Sequence, residues 1–132
     1  MTALFVPGIL VVDDEPHVLG LLDRILQLGG FAVWLAASGP EAVDIYRQHT
    51  AQIAAVLLDV RMTGWDGPET LEALQSINPA VRFCFMTGQA GDYTEEDLLA
   101  LGSPCVLFKP FGLDEAILLA GQLTRGIGSP FA

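Results

Sequence analysis

Six polar residues stand where chemistry could be done: Asp13, Asp14 and Glu15 in one run, then Asp59, Thr87 and Lys109. Each lies at the end of an apolar block. Taken singly, an acidic residue in such a place reads as a helix cap. Taken jointly they describe a site. Carboxylates that converge repel one another unless a cation neutralises them, and all-oxygen ligands point to a hard divalent ion, here Mg²⁺ keeping several waters. Lys109 supplies a second positive centre. A metal on one side and an ammonium on the other offset the equatorial charge of a phosphoryl group in flight to a carboxylate nucleophile. Thr87 adds a hydroxyl donor.

For these residues to meet, the chain must bring the ends of separate strands to one edge. Four apolar blocks of strand length, 9–12, 54–58, 81–86 and 105–108, are mostly uninterrupted, as in parallel strands covered on both faces. A fifth, 32–36, is weaker. Helical signals fill the gaps. Pro16 suits a first turn, and Val18, Leu21, Leu22 and Ile25 share one face up to Gly29-Gly30. Ser38 and Glu41 read as a capping box opening a helix to about His49, Asp66 and Glu69 repeat that grammar, and Asn78-Pro79 closes the helix they open. Thr94 to Asp97 starts a short helix, and Leu113 to about Arg125 makes the last. Strand and helix thus alternate five times, with connections short enough to require right-handed crossovers between parallel neighbours. The expectation is a doubly wound α/β domain. Ligands bind in such sheets outside the carboxyl ends of the strands, where the six polar residues fall.

The 132 residues suffice for one domain with a core of about 7–125, and the tail 126–132 reads as a frayed end with no output domain. With 52% hydrophobic and 17% charged residues, the chain is too apolar for disorder. Six basic against sixteen acidic residues give a net charge of −10, which disfavours nucleic acid and anionic membrane as partners. The longest apolar run, 3–12, has ten residues and contains Pro7 and Gly8, so no membrane span is expected. The amino terminus lacks the basic flank of a secretory signal, and a cytoplasmic location is expected. Cys84 and Cys105 sit in apolar runs without metal-ligand spacing and read as core thiols.

The chain resembles the receiver domain of two-component response regulators over nearly its whole length. The resemblance is carried by Asp13-Asp14, by Asp59 with Met62 and Asp66-Gly67 after it, by Thr87-Gly88 and by Lys109-Pro110, all in the family's order. Spacings of 45 residues from Asp14 to Asp59, 28 on to Thr87 and 22 on to Lys109 also fit. The fold implied is a flavodoxin-like (βα)5 sheet with strand order 2-1-3-4-5. By the same resemblance Asp59 is the phosphoacceptor, and Mg²⁺ is held by Asp13, Asp14, Asp59 and the backbone carbonyl of Arg61. Lys109 is the phosphoryl-sensing lysine, Thr87 the switch hydroxyl, and the Lys109-Pro110 bond is expected cis. The implied partners are a histidine kinase or histidine phosphotransfer protein, which donates the phosphoryl group, and a downstream protein.

Three residues depart from the family pattern. Thr63 stands where receivers usually have proline; the expected effect is a slightly looser loop with nothing essential lost. The Arg61 side chain lies beside the expected phosphoryl site, where it either pairs with Glu15, contacts phosphoryl oxygens and tunes hydrolysis, or points into solvent. Val106 replaces the aromatic ring whose rotamer follows the threonine in many members, leaving a non-aromatic switch position. Trp65 falls in the loop after Asp59, Trp34 reads as core, and His17 and His49 read as exposed helix positions. Apolar residues of the last two helices, among them Leu98, Leu99, Leu101 and residues 117–120, suggest a docking face or a homodimer contact beyond ordinary core.

Two other functions compete. A pseudo-receiver, serving as a phosphorylation-independent interaction module, is opposed by the complete set of Asp13, Asp14, Asp59, Thr87 and Lys109. An aspartate-nucleophile phosphatase of the haloacid dehalogenase type needs a second aspartate two residues past the nucleophile, a spacing that Asp13-Asp14-Glu15 lacks. The receiver reading makes the chain a signalling domain rather than an enzyme, though one that assists its own phosphorylation and dephosphorylation.

Overall fold

All five apolar blocks form strands and each is followed by a helix in the computed structural model, which describes residues 6–88 and 93–125. The order is β1 (Gly8–Val12), α1 (Pro16–Leu28), β2 (Ala32–Ala36), α2 (Gly39–His49), β3 (Ile53–Asp59), α3 (Gly67–Ile77), β4 (Phe83–Thr87), α4 (Glu95–Ala100), β5 (Val106–Phe108) and α5 (Leu113–Thr124). The strands make one parallel sheet in the order β2-β1-β3-β4-β5. This is the doubly wound, flavodoxin-like arrangement expected. The frayed tail expected at 126–132 lies outside the described residues.

Strand alternation divides the core in two. Leu10, Val12, Val56, Leu58 and Phe85 point to the face covered by Val43 and Tyr46 of α2, Leu71 and Leu74 of α3 and Leu98 of α4. Ile9, Val11, Leu57 and Met86 point to the face covered by Leu22 and Leu26 of α1 and Leu119 and Leu123 of α5. Central strands buried on both faces need continuous apolar sequence, whereas β2, an edge strand, is half-buried along most of its length and reads more weakly. Trp34 is accordingly half-buried rather than core, with its ring 5.2 Å from that of His49. No helix among the described residues is long and apolar enough to cross a membrane.

Caps fix where the helices begin. Asp66 and Glu69 exchange side-chain and backbone hydrogen bonds in a full capping box, and Thr94 and Asp97 do the same. At α2 only half of the expected box forms: Ser38 Oγ accepts from Glu41 N–H at 3.3 Å, with no return bond among the described residues. β4 begins at Phe83 rather than at residue 81, because Val81 N–H still donates to Asn78 O in the turn that closes α3. Cys84 of β4 and Cys105, just before β5, are buried thiols with sulfurs 3.8 Å apart. Their mutual hydrogen bond and their burial push the Cys84 thiol far above its ordinary range, which keeps it protonated.

Candidate functional site

Parallel strands end on the same edge, so the sheet order itself assembles the site. Asp13 follows β1, Asp59 ends β3, Thr87 ends β4 and Lys109 follows β5. Asp13 N–H still donates to Ala36 O of β2 at 3.1 Å, which fixes the backbone at the edge. Gly67 at the start of α3 sits under Asp59. A Cβ there would come within 2.5 Å of Asp59 O and 2.9 Å of Val60 Cα, so only glycine lets α3 approach the strand end this closely.

Asp13 is fully buried and both of its oxygens are used. Oδ1 accepts from Glu15 N–H at 2.9 Å and Oδ2 from Lys109 Nζ at 2.7 Å. Lys109 Nζ also reaches Asp59 Oδ1 at 3.3 Å. Asp14, just outside, is held from another direction: its Oδ2 accepts from the Thr63 N–H at 3.0 Å. Carboxylate oxygens of Asp13, Asp14 and Asp59 lie within 4.8 Å of one another, a spacing that one cation can bridge.

Electrostatics agree with geometry. Burial and the charge of Asp13 push the Asp59 carboxyl from 3.8 up to about 7, against the opposing pull of Lys109. Burial alone would lower the Lys109 ammonium. Its hydrogen bond to Asp13 and the charges of Asp59 and Asp13 outweigh that and hold it above its ordinary value. Three clustered acids, two of them bonded to one ammonium, leave a negative surplus, and a divalent ion fits that donor set. Beside it opens a cavity of about 400 Å³ lined by Glu15, Asp59, Arg61, Gly88 and Lys109, large enough for a phosphoryl group.

Every polar residue singled out in the sequence thus comes to this edge. Thr87 is buried, and its Oγ1 has no hydrogen-bond partner among the described residues. An unpaired buried hydroxyl is a standing cost that an incoming oxyanion would relieve. The Lys109-Pro110 peptide is cis. Arg61 is exposed and forms one wall of the cavity. It makes no ion pair with Glu15, which pairs with His17 at 3.1 Å. Val106 is buried in the α2–α4 face, while Phe108, two residues on and on the same side of the edge strand, is half exposed. Trp65 is also partly exposed and lies against Gly39.

Two contacts escaped the sequence. The loop at Thr63 is tied to Asp14 rather than loosened, because threonine has the N–H that proline lacks. Tyr93 OH donates to Asp66 Oδ2 at 2.9 Å, joining the start of α4 to the cap of α3. The first was readable in principle from the missing proline; the second left no sequence signal.

A family model for the response regulator receiver domain matches residues 9–120. The transcriptional regulatory protein PrrA of Mycobacterium tuberculosis is 33% identical over 128 residues, covering 97% of this chain and 54% of PrrA. The chain therefore spans about half the length of that relative. A response regulator receiver domain protein from Clostridium thermocellum superposes with a TM-score of 0.81 at 25% identity, covering 92% of this chain and 97% of the other. The CheX–CheY–BeF3–Mg complex from Borrelia burgdorferi gives 0.78 at 25% identity, with 87% and 88% covered.

Proposed function

Because the chain belongs to the response-regulator receiver family, we propose that it is a phosphoacceptor in a two-component or phosphorelay system. Asp59 takes the phosphoryl group from a phosphohistidine on a histidine kinase or histidine phosphotransfer protein. The observation that carries this reading is the cluster of Asp13, Asp14 and Asp59, with Lys109 Nζ bonded to Asp13 and Asp59, beside a cavity that Asp59 and Lys109 help to line. An Asp59 carboxylate oxygen forms the new bond to phosphorus while the bond from phosphorus to the donor nitrogen breaks, and the imidazole leaves.

Asp13, Asp14, Asp59 and the Arg61 backbone carbonyl are the residues that would hold Mg²⁺. The ion supplies charge neutralisation for the transferring oxygens. Lys109 supports the opposite side. Its ammonium already touches Asp59, so a phosphoryl oxygen attached there falls within its reach. Thr87 offers its unpaired hydroxyl to the same group. The output is a protein-binding surface in this reading, a place that the half-exposed apolar residues Leu99 and Leu101 of α4 and its C-terminal cap, Phe108 of β5, and Leu113 and Leu118 of α5 suit, for a downstream protein or a second copy.

Treatment with acetyl phosphate and Mg²⁺, followed by intact mass, tests the assignment. The wild-type chain is expected to gain one phosphoryl mass and Asp59→Asn none. Equal labelling of Asp59→Asn would remove Asp59 from the role, and an unlabelled wild type would favour a phosphorylation-independent interaction module.

Arg61 gives a second expectation. Its guanidinium walls the cavity without a carboxylate partner among the described residues, so it is available to phosphoryl oxygens and to obstruct the in-line water. An exposed charge contact is worth under about 1 kcal/mol, so Arg61→Ala is expected to lose its aspartyl phosphate roughly threefold faster. Val106→Ala leaves that rate unchanged. Decay of Arg61→Ala at or below the wild-type rate, followed by mass, would return Arg61 to a solvent-exposed side chain.

A further inference from the structure

Among the three clustered carboxylates, Asp14 is the least constrained by its surroundings. Asp13 is buried with both oxygens engaged, and Asp59 is buried with one oxygen on Lys109. Asp14 is partly exposed, and its one hydrogen bond among the described residues is the 3.0 Å bond that Oδ2 accepts from Thr63 N–H, 49 residues away. We propose that the backbone N–H of Thr63 is a positioning group for the cation site, holding the Asp14 carboxylate beside Asp13 and Asp59.

This rests on the reading of Asp13, Asp14 and Asp59 as the metal-binding set. A carboxylate on an open turn samples several rotamers, and gathering it to a cation costs the entropy of choosing one. One fixed oxygen removes much of that cost. The donor is neutral, so it orients the carboxylate without cancelling its charge, and Oδ1 has no other partner among the described residues. Outer-shell donors act on ligating carboxylates in this way. The bond has a second effect. It ties the turn after β1 to the loop after β3, and that loop carries Arg61, whose carbonyl belongs to the same proposed set. A proline at position 63 has no N–H to give. The residue that departs from the family pattern therefore adds a tie that the usual residue cannot make.

Mg²⁺ titration of the whole chain, read by Trp65 fluorescence in a Trp34→Phe background, tests the proposal. Thr63→Pro is expected to weaken Mg²⁺ about tenfold, the lower end for loss of an outer-shell partner. Thr63→Ala keeps the N–H and is expected to stay within about twofold of the parent, which separates the backbone donor from the side chain. Parent-like affinity in Thr63→Pro, or equal weakening in Thr63→Ala, would overturn the proposal while leaving the metal site standing. If Asp14→Ala binds Mg²⁺ as the parent does, the metal reading itself falls. Amide hydrogen exchange at Thr63 gives an answer even if Thr63→Pro misfolds. Protection is expected in the parent and its loss in Asp14→Ala, and an amide that exchanges equally in both would show that Asp14 does not hold it.

Discussion

Asp59→Asn is expected to raise the thermal midpoint of the chain at pH 8 in the absence of divalent ions, by roughly 6–12 °C. The reason lies in the proton affinity of Asp59. Its carboxyl titrates near 7 in the fold because burial and the charge of Asp13 oppose ionisation, against 3.8 for an ordinary aspartate. Between those two values the folded chain binds more protons than the unfolded one, so stability falls as pH rises across that window. Above it the ionised Asp59 costs about 2–4 kcal/mol. Asparagine fills the same space without the charge and removes that cost at pH 8. Near pH 4 the two chains should differ little. Mg²⁺ should stabilise the wild type at pH 8 far more than Asp59→Asn, because the ion compensates the charge that the variant lacks. Unfolding curves at both pH values, with and without Mg²⁺, measure all of this. Coincident midpoints at pH 8 would mean that Asp59 ionises in the fold without penalty.

That destabilising carboxylate was visible in the sequence as a position, not as an energy. The buried strands are legible because central parallel strands must be apolar on both faces, and the polar residues after them stand out because little else interrupts such runs. Sheet order then brings Asp13, Asp59, Thr87 and Lys109 together, which spacing alone could only suggest. Contacts between loops were less legible. Trp34 read as core because its strand does, but an edge strand covers only part of its ring. The bond from Tyr93 to Asp66 and the missing return bond at Ser38 depend on side-chain rotamers that no periodicity encodes. Glu15 pairs with His17, two residues on, rather than with Arg61 across the cavity, a choice of rotamer that spacing alone does not make. Thr63 is a different case. The missing proline is plain in the sequence, yet its consequence depends on the position of Asp14.

Lys109→Ala is expected to lower the midpoint at pH 8 by roughly 9–15 °C without divalent ions. In the receiver reading Lys109 senses the phosphoryl group, but the structure also gives it a resting task. Its ammonium bonds to fully buried Asp13 at 2.7 Å and reaches Asp59 at 3.3 Å, so its removal leaves two buried carboxylates without a counter-charge. Breaking a buried pair from one side costs about 3–5 kcal/mol. The site has two ways to recover, and each makes a distinct signature. A proton can replace the ammonium, since Lys109 is the influence that lowers the Asp59 carboxyl. Asp59 therefore titrates still higher in Lys109→Ala, and much of the lost stability should return at pH 5. A divalent ion can do the same at pH 8, so Mg²⁺ should raise the midpoint of the variant more than that of the wild type. Adding Asp59→Asn to Lys109→Ala removes one of the stranded charges, and the double variant should be more stable than Lys109→Ala alone. Thermal unfolding of the four chains closes the cycle. If Lys109→Ala unfolds at the wild-type midpoint at pH 8, Asp13 tolerates its burial without the ammonium, and Lys109 has no resting role in the site.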